Sequence, residues 1–350
     1  MKESVLIIGA GHQGLAMAGH FALNGERVKL WNRTAEHIKD IAKTKTIICE
    51  GAVKGEAKIE EASTDMSALV SKRIFVTVPS VAYKDVAREL AGVLLSGSVI
   101  FLNPGRTFGA IEFIEELKKN GCREIPAVIE TQSIVYTCRR TPTNFSHIYA
   151  LKSKVKMAAL GRKITKSELF DCLPECVRDR FILTESFLNT SLGNIGMVLH
   201  CAPVLMNTGW IESTEHSFKY YYDGLSKSVC GFVEKIDNQR MAVASAMGAD
   251  CASLIEWFEE CYGIRENDIY SCIRKNEYYR EIDAPNSLEH RYLDEDIPNG
   301  LVPVETLGLE LGIDVSSISL IIDFANAVKN TDYRVRGRRY SLSKINSFLS

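Results

Sequence analysis

Apolar runs recur through the first half of the chain, at positions 5–8, 28–31, 74–78, 99–102 and 127–129, mostly bounded by Gly, Pro, Asn or Ser. Between several of them apolar residues return every three or four positions, which predicts helices over 13–23, 81–94 and 110–119. Strands that are apolar throughout, rather than alternating, suit a parallel sheet covered by helices on both faces. From about position 185 the strand signal fades, and long helical patterns take over at 226–247, 253–261 and 315–328. The pattern therefore predicts an α/β chain: a doubly wound parallel sheet over residues 1–180 and a mainly helical domain over 181–350. The segment 148–160 is expected to add strands to the first domain, and the crevice between the domains is the expected ligand site.

A chain of 350 residues is long enough for two cores. Forty-two Lys and Arg against 44 Asp and Glu give a formal net charge of -2, which does not invite nucleic acid. The stretch 186–211 lacks Asp, Glu, Lys and Arg, yet its asparagines, its glycines, His200 and Pro203 fit burial in protein better than burial in lipid. No membrane association is expected. The N-terminal apolar run is too short for a signal peptide, so the protein is expected to be cytoplasmic. Ten scattered cysteines, with Cys172 and Cys176 the nearest pair, read as reduced structural thiols rather than metal ligands.

Directly after the first strand run stands VLIIGAGHQGLAM, in which Gly9, Gly11 and Gly14 form G-x-G-x-x-G at the start of a predicted helix. The first glycine permits the turn, the second lets backbone approach a pyrophosphate, and the third lets helix pack close to strand. With strand, helix and second strand in order, the motif predicts a Rossmann-type dinucleotide site. Gly9, Ala10, Gly11, His12, Gln13 and Gly14 form its loop, and Val78 closes the neighbouring strand. His12 is expected to contribute backbone rather than its ring. At the end of the second strand the chain reads Asn32-Arg33-Thr34, where an NAD site usually carries a carboxylate. Arg33 offers a guanidinium for a 2′-phosphate, and Asn32 and Thr34 offer neutral hydrogen-bonding groups, so NADP (as NADPH) is favoured over NAD. The plainer alternative makes Arg33 a solvated loop charge.

A nicotinamide works beside a proton donor or acceptor, and His200, within the uncharged NIGMVLHCAPVLMN, is the candidate. Taken alone it is equally a buried structural histidine. The segments LNPGRTFGAIEF (102–113), IETQSIVYTCR (129–139), TSLGNIGMVLHCAPVLMNTGWIE (190–212), HRYLDEDIPNGLVP (290–303) and ETLGLELGIDVSSISLIIDFA (305–325) together resemble the opine dehydrogenase family. That resemblance implies an enzyme that joins an amino acid to a 2-oxo acid, expected to be pyruvate, and reduces the imine with a nicotinamide hydride. It implies His200 and Asp296 as the proton-transfer pair and Arg291 as the holder of a substrate carboxylate. Asp294 and Glu295 sit beside Asp296, and any of the three could instead cap a helix or face solvent; Arg291 could equally bridge to a carboxylate of the protein. Asn207 is a candidate substrate ligand or a backbone-satisfying amide. The chain has Cys201 where many relatives have proline, the proline coming at 203. The run Tyr220-Tyr221-Tyr222 reads as packing.

The apolar helical domain offers a surface for a homodimer. Two other readings stay open: a simple reductase of 2-oxo acids or polyol phosphates, which would use a lysine such as Lys219 or Lys227, and a sensor that binds NADP without turnover.

Overall fold

A computed structural model describes residues 3–141, 144–213 and 217–349, and they form two compact units. One comprises the chain up to Gly105 together with Gly109–Phe187; the other comprises Arg106–Phe108 and the chain from Leu188 onward.

The first unit carries twelve strands: β1 (Val5–Ile8), β2 (Val28–Trp31), β3 (Thr46–Gly51), β4 (Gly55–Lys58), β5 (Glu61–Ser63), β6 (Arg73–Val76), β7 (Val99–Leu102), β8 (Ala127–Thr131), β9 (Tyr136–Arg140), β10 (Phe145–Leu151), β11 (Val155–Gly161) and β12 (Phe181–Leu183). Eight of them build one sheet in the order β12-β11-β8-β7-β6-β1-β2-β5. Every neighbouring pair is parallel except β8 with β11. The apolar runs behave as their pattern demands, since β1 and β7 are buried along their whole length. Phe75 of β6 stacks on Phe101 of β7 at 4.5 Å and receives the edge of Phe21, from the helix His12–Leu23, at 5.3 Å. Burying such rings stabilises the fold by about 1.5–3 kcal/mol each.

A second, four-stranded sheet of order β4-β3-β10-β9 was not anticipated from the sequence. Its strands are short and half polar, and they pack against the helix His12–Leu23, where a side chain at Gly19 would lie 2.3 Å from Cys49 Sγ. The first unit also runs past the expected division at 180, because β12 pairs with β11 and so belongs to the large sheet.

The second unit is helical. Its longest helix, Lys227–Ala246, buries Arg240 completely, and the guanidinium donates to Asp237 Oδ1, Leu192 O and Ala252 O. Asp237 in turn accepts from Leu254 N, which starts the helix Leu254–Tyr262. The uncharged stretch forms the helices Leu188–Ser191 and Gly196–Met206, largely buried in protein, and the more exposed Thr208–Ile211. Among the described residues no helix is long and apolar enough to cross a membrane.

The switch point of the large sheet lies between β1 and β6, where strand order reverses, and there the glycines are under different constraints. A Cβ on Gly14 would sit 1.7 Å from Gly9 O, whereas one on Gly11 would meet no atom within 4 Å. Gly14→Ala should therefore lower the thermal midpoint by several degrees, about 2 kcal/mol of overpacking. Gly11→Ala, with φ at −75° and ψ at −165°, should leave it nearly unchanged. Calorimetry of the two variants checks the difference.

Candidate functional site

The dinucleotide side of the site is built from the carboxyl ends of β1, β2 and β6, adjacent in one parallel sheet. Gly9, at φ +106°, turns the chain out of β1, and a side chain there would run into Val78 Cγ1 at 2.8 Å. Thr77 Oγ1, between Ile8 O at 2.9 Å and Gly9 O at 3.1 Å, fixes the same turn. The helix His12–Leu23 then begins at Gly11 with no side-chain cap and no acidic residue in its first turn. Such an end presents backbone N–H groups and a positive dipole to an anion. The loop thus fits a dinucleotide pyrophosphate: an open cradle over Gly11 beside a tight crossing at Gly9 and Gly14.

Several predicted cofactor residues spend their side chains on holding this loop. Asn32 Oδ1 accepts from Ala10 N at 3.0 Å, while Asn32 Nδ2 donates to Thr34 O at 3.0 Å. Gln13 is buried, and its Nε2 donates to Tyr136 O. His12 Nδ1 accepts from Arg140 N at 2.6 Å, a use of the ring that the sequence did not suggest. Arg140, on β9, donates to Ala10 O and His37 O, so it braces the glycine loop against the segment after β2. Thr34 is exposed, and Arg33 is 75% exposed with Asp85 3.9 Å away.

The second unit holds the proton-transfer candidates. His200 lies on the helix Gly196–Met206, with Pro203 inside the same helix. A proline there lacks the N–H that would reach Leu199 O, four residues earlier. Tyr220 supplies the missing donor, its Oη lying 3.2 Å from Leu199 O and 2.9 Å from His200 O. That substitution lets the helix carry His200 despite the late proline. The imidazole stacks on Tyr292 at 3.9 Å with an interplanar angle of 13°, and its Nδ1 is 2.7 Å from Asp296 Oδ2. Nε2 faces Tyr221 Oη at 3.4 Å, longer than a well-formed hydrogen bond. The His200 side chain is 14% exposed and that of Asp296 is fully buried.

The three consecutive carboxylates separate cleanly. Asp294 accepts from Tyr333 Oη at 2.7 Å. Glu295 pairs with Arg291 at 3.1 Å and with Arg106 at 3.2 Å. Asp296 alone meets the imidazole, at the point where the short helix Arg291–Asp294 gives way to a π-helical turn, Ile297–Leu301. Such turns are frequent at functional sites because they displace one residue from the helical register.

Arg106, which sequence reasoning passed over, sits on the other side of Asp296, with its guanidinium 2.9 Å from Oδ1. Among the described residues no donor is aligned on Oδ1 as a hydrogen bond, so this contact acts as an ion pair. Burial pushes the His200 pKa below its ordinary 6.5; Asp296 pulls it up, and the charges of Arg106 and Arg291 add to the lowering. The imidazole is therefore neutral at neutral pH, with Nδ1–H directed to Asp296 and Nε2 able to accept a proton.

Arg291 is 41% exposed despite its Glu295 contact, which leaves part of the guanidinium toward solvent. Asn207 takes the backbone role: its Nδ2 donates to Pro203 O at 2.8 Å and to Gly224 O at 2.9 Å, so both amide protons are spent. The lysines of the alternative reading lie elsewhere. Lys219 pairs with Asp283 and Glu281, and Lys227 lies over the Tyr270 ring. Within the tyrosine run, Tyr220 and Tyr222 bond backbone carbonyls, as packing residues do, whereas Tyr221 faces the imidazole.

The chain has relatives among known proteins over its whole length. Residues 183–329 match the family described as NAD/NADP octopine/nopaline dehydrogenase, alpha-helical domain, and residues 4–117 match NAD-dependent glycerol-3-phosphate dehydrogenase N-terminus. The chain is 33% identical over 343 residues to an opine dehydrogenase of Arthrobacter sp., covering 96% of this chain and 94% of that one. It is 24% identical over 350 residues to a vitopine synthase of Allorhizobium ampelinum, with 96% and 94% covered. Among solved structures, octopine dehydrogenase in complex with NADH and agmatine superposes with a TM-score of 0.80 at 17% identity, covering 99% of this chain and 98% of that one, a likeness of fold.

The Tyr220 hydroxyl gives a direct test of how the histidine helix is held. Tyr220→Phe should lower unfolding stability by about 1–2 kcal/mol, since it leaves Leu199 O without its donor. Urea titration measures the loss, and an unchanged midpoint would mean that Pro203 is accommodated in some other way.

Proposed function

This chain belongs to the opine dehydrogenase family, and we propose that it condenses an amino acid with a 2-oxo acid, expected to be pyruvate, and reduces the imine with NAD(P)H. The observation that carries the reading is the His200–Asp296 contact at 2.7 Å, buried beside a half-exposed Arg291. The guanidinium of Arg291 binds the oxo acid's carboxylate and holds its carbonyl toward His200. His200 Nε2 takes a proton from the attacking amine and gives it to the carbonyl oxygen, forming the carbinolamine; a second such transfer, from nitrogen to the hydroxyl, lets water depart and leaves the imine. Asp296 fixes the tautomer and stabilises the imidazolium.

Charge bookkeeping supports this sequence. Arg106 and Arg291 balance Glu295 and Asp296 only while His200 is neutral. A substrate carboxylate on Arg291 adds one negative charge, and a protonated His200 is then the balanced state. Binding of the oxo acid thus prepares the imidazole to act as an acid. A reduced nicotinamide, when bound at the glycine loop, supplies the hydride.

NADPH is the favoured donor in this reading. The end of β2 carries no carboxylate to repel a 2′-phosphate, and the contact of Arg33 with Asp85, at 3.9 Å between exposed side chains, is weak. The reading keeps the expected cytoplasmic setting, in which ten scattered cysteines read as reduced thiols. It also keeps the homodimer: exposed Leu320, Phe324 and Val328, four residues apart on the helix Ser316–Lys329, form an apolar strip of the kind a second copy covers.

NADPH oxidation followed by absorbance should require an amino acid and an oxo acid together, and His200→Ala should lose about 10²-fold or more. Turnover with the oxo acid alone would identify a simple reductase, and tight NADPH binding without turnover a sensor. As pH falls, kcat/KM should drop with a midpoint below 6.5, because protonation of the depressed His200 removes the base. Arg33→Ala should raise KM for NADPH about tenfold or more and leave NADH nearly untouched, the loss of one charge-assisted contact. Equal effects on both cofactors would sink the assignment of Arg33.

A further inference from the structure

Two arginines border the buried carboxylates, and they are placed differently. The Arg291 side chain is 41% exposed, whereas that of Arg106 is 6% exposed. Arg106 lies in the segment Arg106–Phe108, which belongs to the helical unit although the chain on either side of it builds the sheet unit. Backbone bonds and side chains of that unit hold the segment: Thr107 N donates to Asn299 O, Arg338 donates to Thr107 O, and Phe108 N donates to Ser191 Oγ. Arg106 and Phe108 both take left-handed backbone, at φ +59° and +60°. Non-glycine residues persist there when the surroundings over-determine them.

The guanidinium these contacts deliver meets Asp296 Oδ1 at 2.9 Å, Glu295 Oε2 at 3.2 Å and Asn194 Oδ1 at 3.3 Å. We propose that Arg106 is the positioning residue of the dyad: by engaging Oδ1 of Asp296 it leaves Oδ2 as the imidazole's partner, and it supplies the positive charge against which His200 must be protonated. This inference rests on the proton-transfer role proposed for His200. A bare aspartate beside His200 would favour a closed carboxylate–imidazolium pair, a poor base. A carboxylate already held by a guanidinium keeps its orientation while drawing the imidazole's proton less strongly.

The charged and titratable groups facing this pair are few. On the segment that carries Asp296 they are Arg291 and Glu295, joined to each other, and Tyr292, stacked on the imidazole. On the histidine's own helix there is the buried thiol of Cys201, and from the loop before the longest helix come Tyr220 and Tyr221. In the packed helices Lys227–Ala246 and Ser316–Lys329, Asp237 is closed on Arg240 and Lys329 on Glu289. Arg106 is thus the buried cation in contact with Asp296 among the described residues.

The test replaces Arg106 by Met and by Lys and follows both the His200 imidazole, by NMR titration of the full chain, and the pH profile of kcat/KM. Arg106→Met should raise the His200 midpoint by about one pH unit or more, move the acid limb with it, and lower kcat at pH 7 about tenfold or more, with little change in the KM for the oxo acid. Arg106→Lys keeps the charge and should restore the midpoint to near its original value. If Arg106→Met fails to fold, because it leaves two buried carboxylates facing each other, Arg106→Met in a Glu295→Gln background is compared with Glu295→Gln alone. An unmoved His200 midpoint overturns the proposal. So does a rise in KM with an unmoved pH profile, which would make Arg106 a substrate-binding residue. The NMR arm needs no turnover, so it stands even if the reductive condensation is not observed.

Discussion

Everything in the helical unit that bears on chemistry converges on one buried carboxylate. Asp296 has no exposure to water, and a buried charge is tolerated only where partners replace its solvation. His200 takes one oxygen at 2.7 Å and Arg106 faces the other at 2.9 Å. That requirement explains a set of local oddities that would otherwise look unrelated. The helix bearing His200 runs through a proline and is repaired by a tyrosine hydroxyl; Asp296 sits at a π-helical turn; Arg106 stands in left-handed backbone. Each departs from regular structure so that three side chains can meet.

The sheet unit handles its own constraint with backbone rather than charge. Its glycine loop is a steric device, tight where β1 turns into the first helix and open over Gly11. Asn32, Gln13, His12 and Arg140 hold it by hydrogen bonds to backbone, so the surface offered to phosphates is made mainly of N–H groups. A loop held in this way is organised before any ligand arrives, which lowers the entropy cost of binding.

What the sequence revealed, and what it hid, follows from range. The runs at 5–8 and 99–102 became strands at those positions because their apolar continuity reflects burial on both faces, a local signal. The glycine spacing and the uncharged stretch around His200 were legible for the same reason. The expected strand segment 148–160 overlaps β10 and β11, whereas β3, β4 and β9 of the small sheet were hidden because half-polar strands resemble loops. Arg106 was hidden although its segment had been read, since its partners lie about 90 and 190 positions away in the chain and nothing near it marks a buried ion pair. Asn207 and Tyr221 changed places as candidates: the asparagine's amide is spent on Pro203 O and Gly224 O, whereas the tyrosine reaches the imidazole. Asp296 was named by the family resemblance; the fold adds where its neighbours go, Asp294 to Tyr333 and Glu295 to two arginines.

The central claim is that His200 and Asp296 serve the joining of two substrates rather than the reduction of one. The most direct measurement is mass spectrometry of the product made from a ¹⁵N-labelled amino acid, pyruvate and NADPH. Reductive condensation gives a single secondary amine that retains the labelled nitrogen and both carbon skeletons, less the oxygen lost as water. A product that is only the hydroxy acid, with the labelled amino acid recovered unchanged, would contradict it.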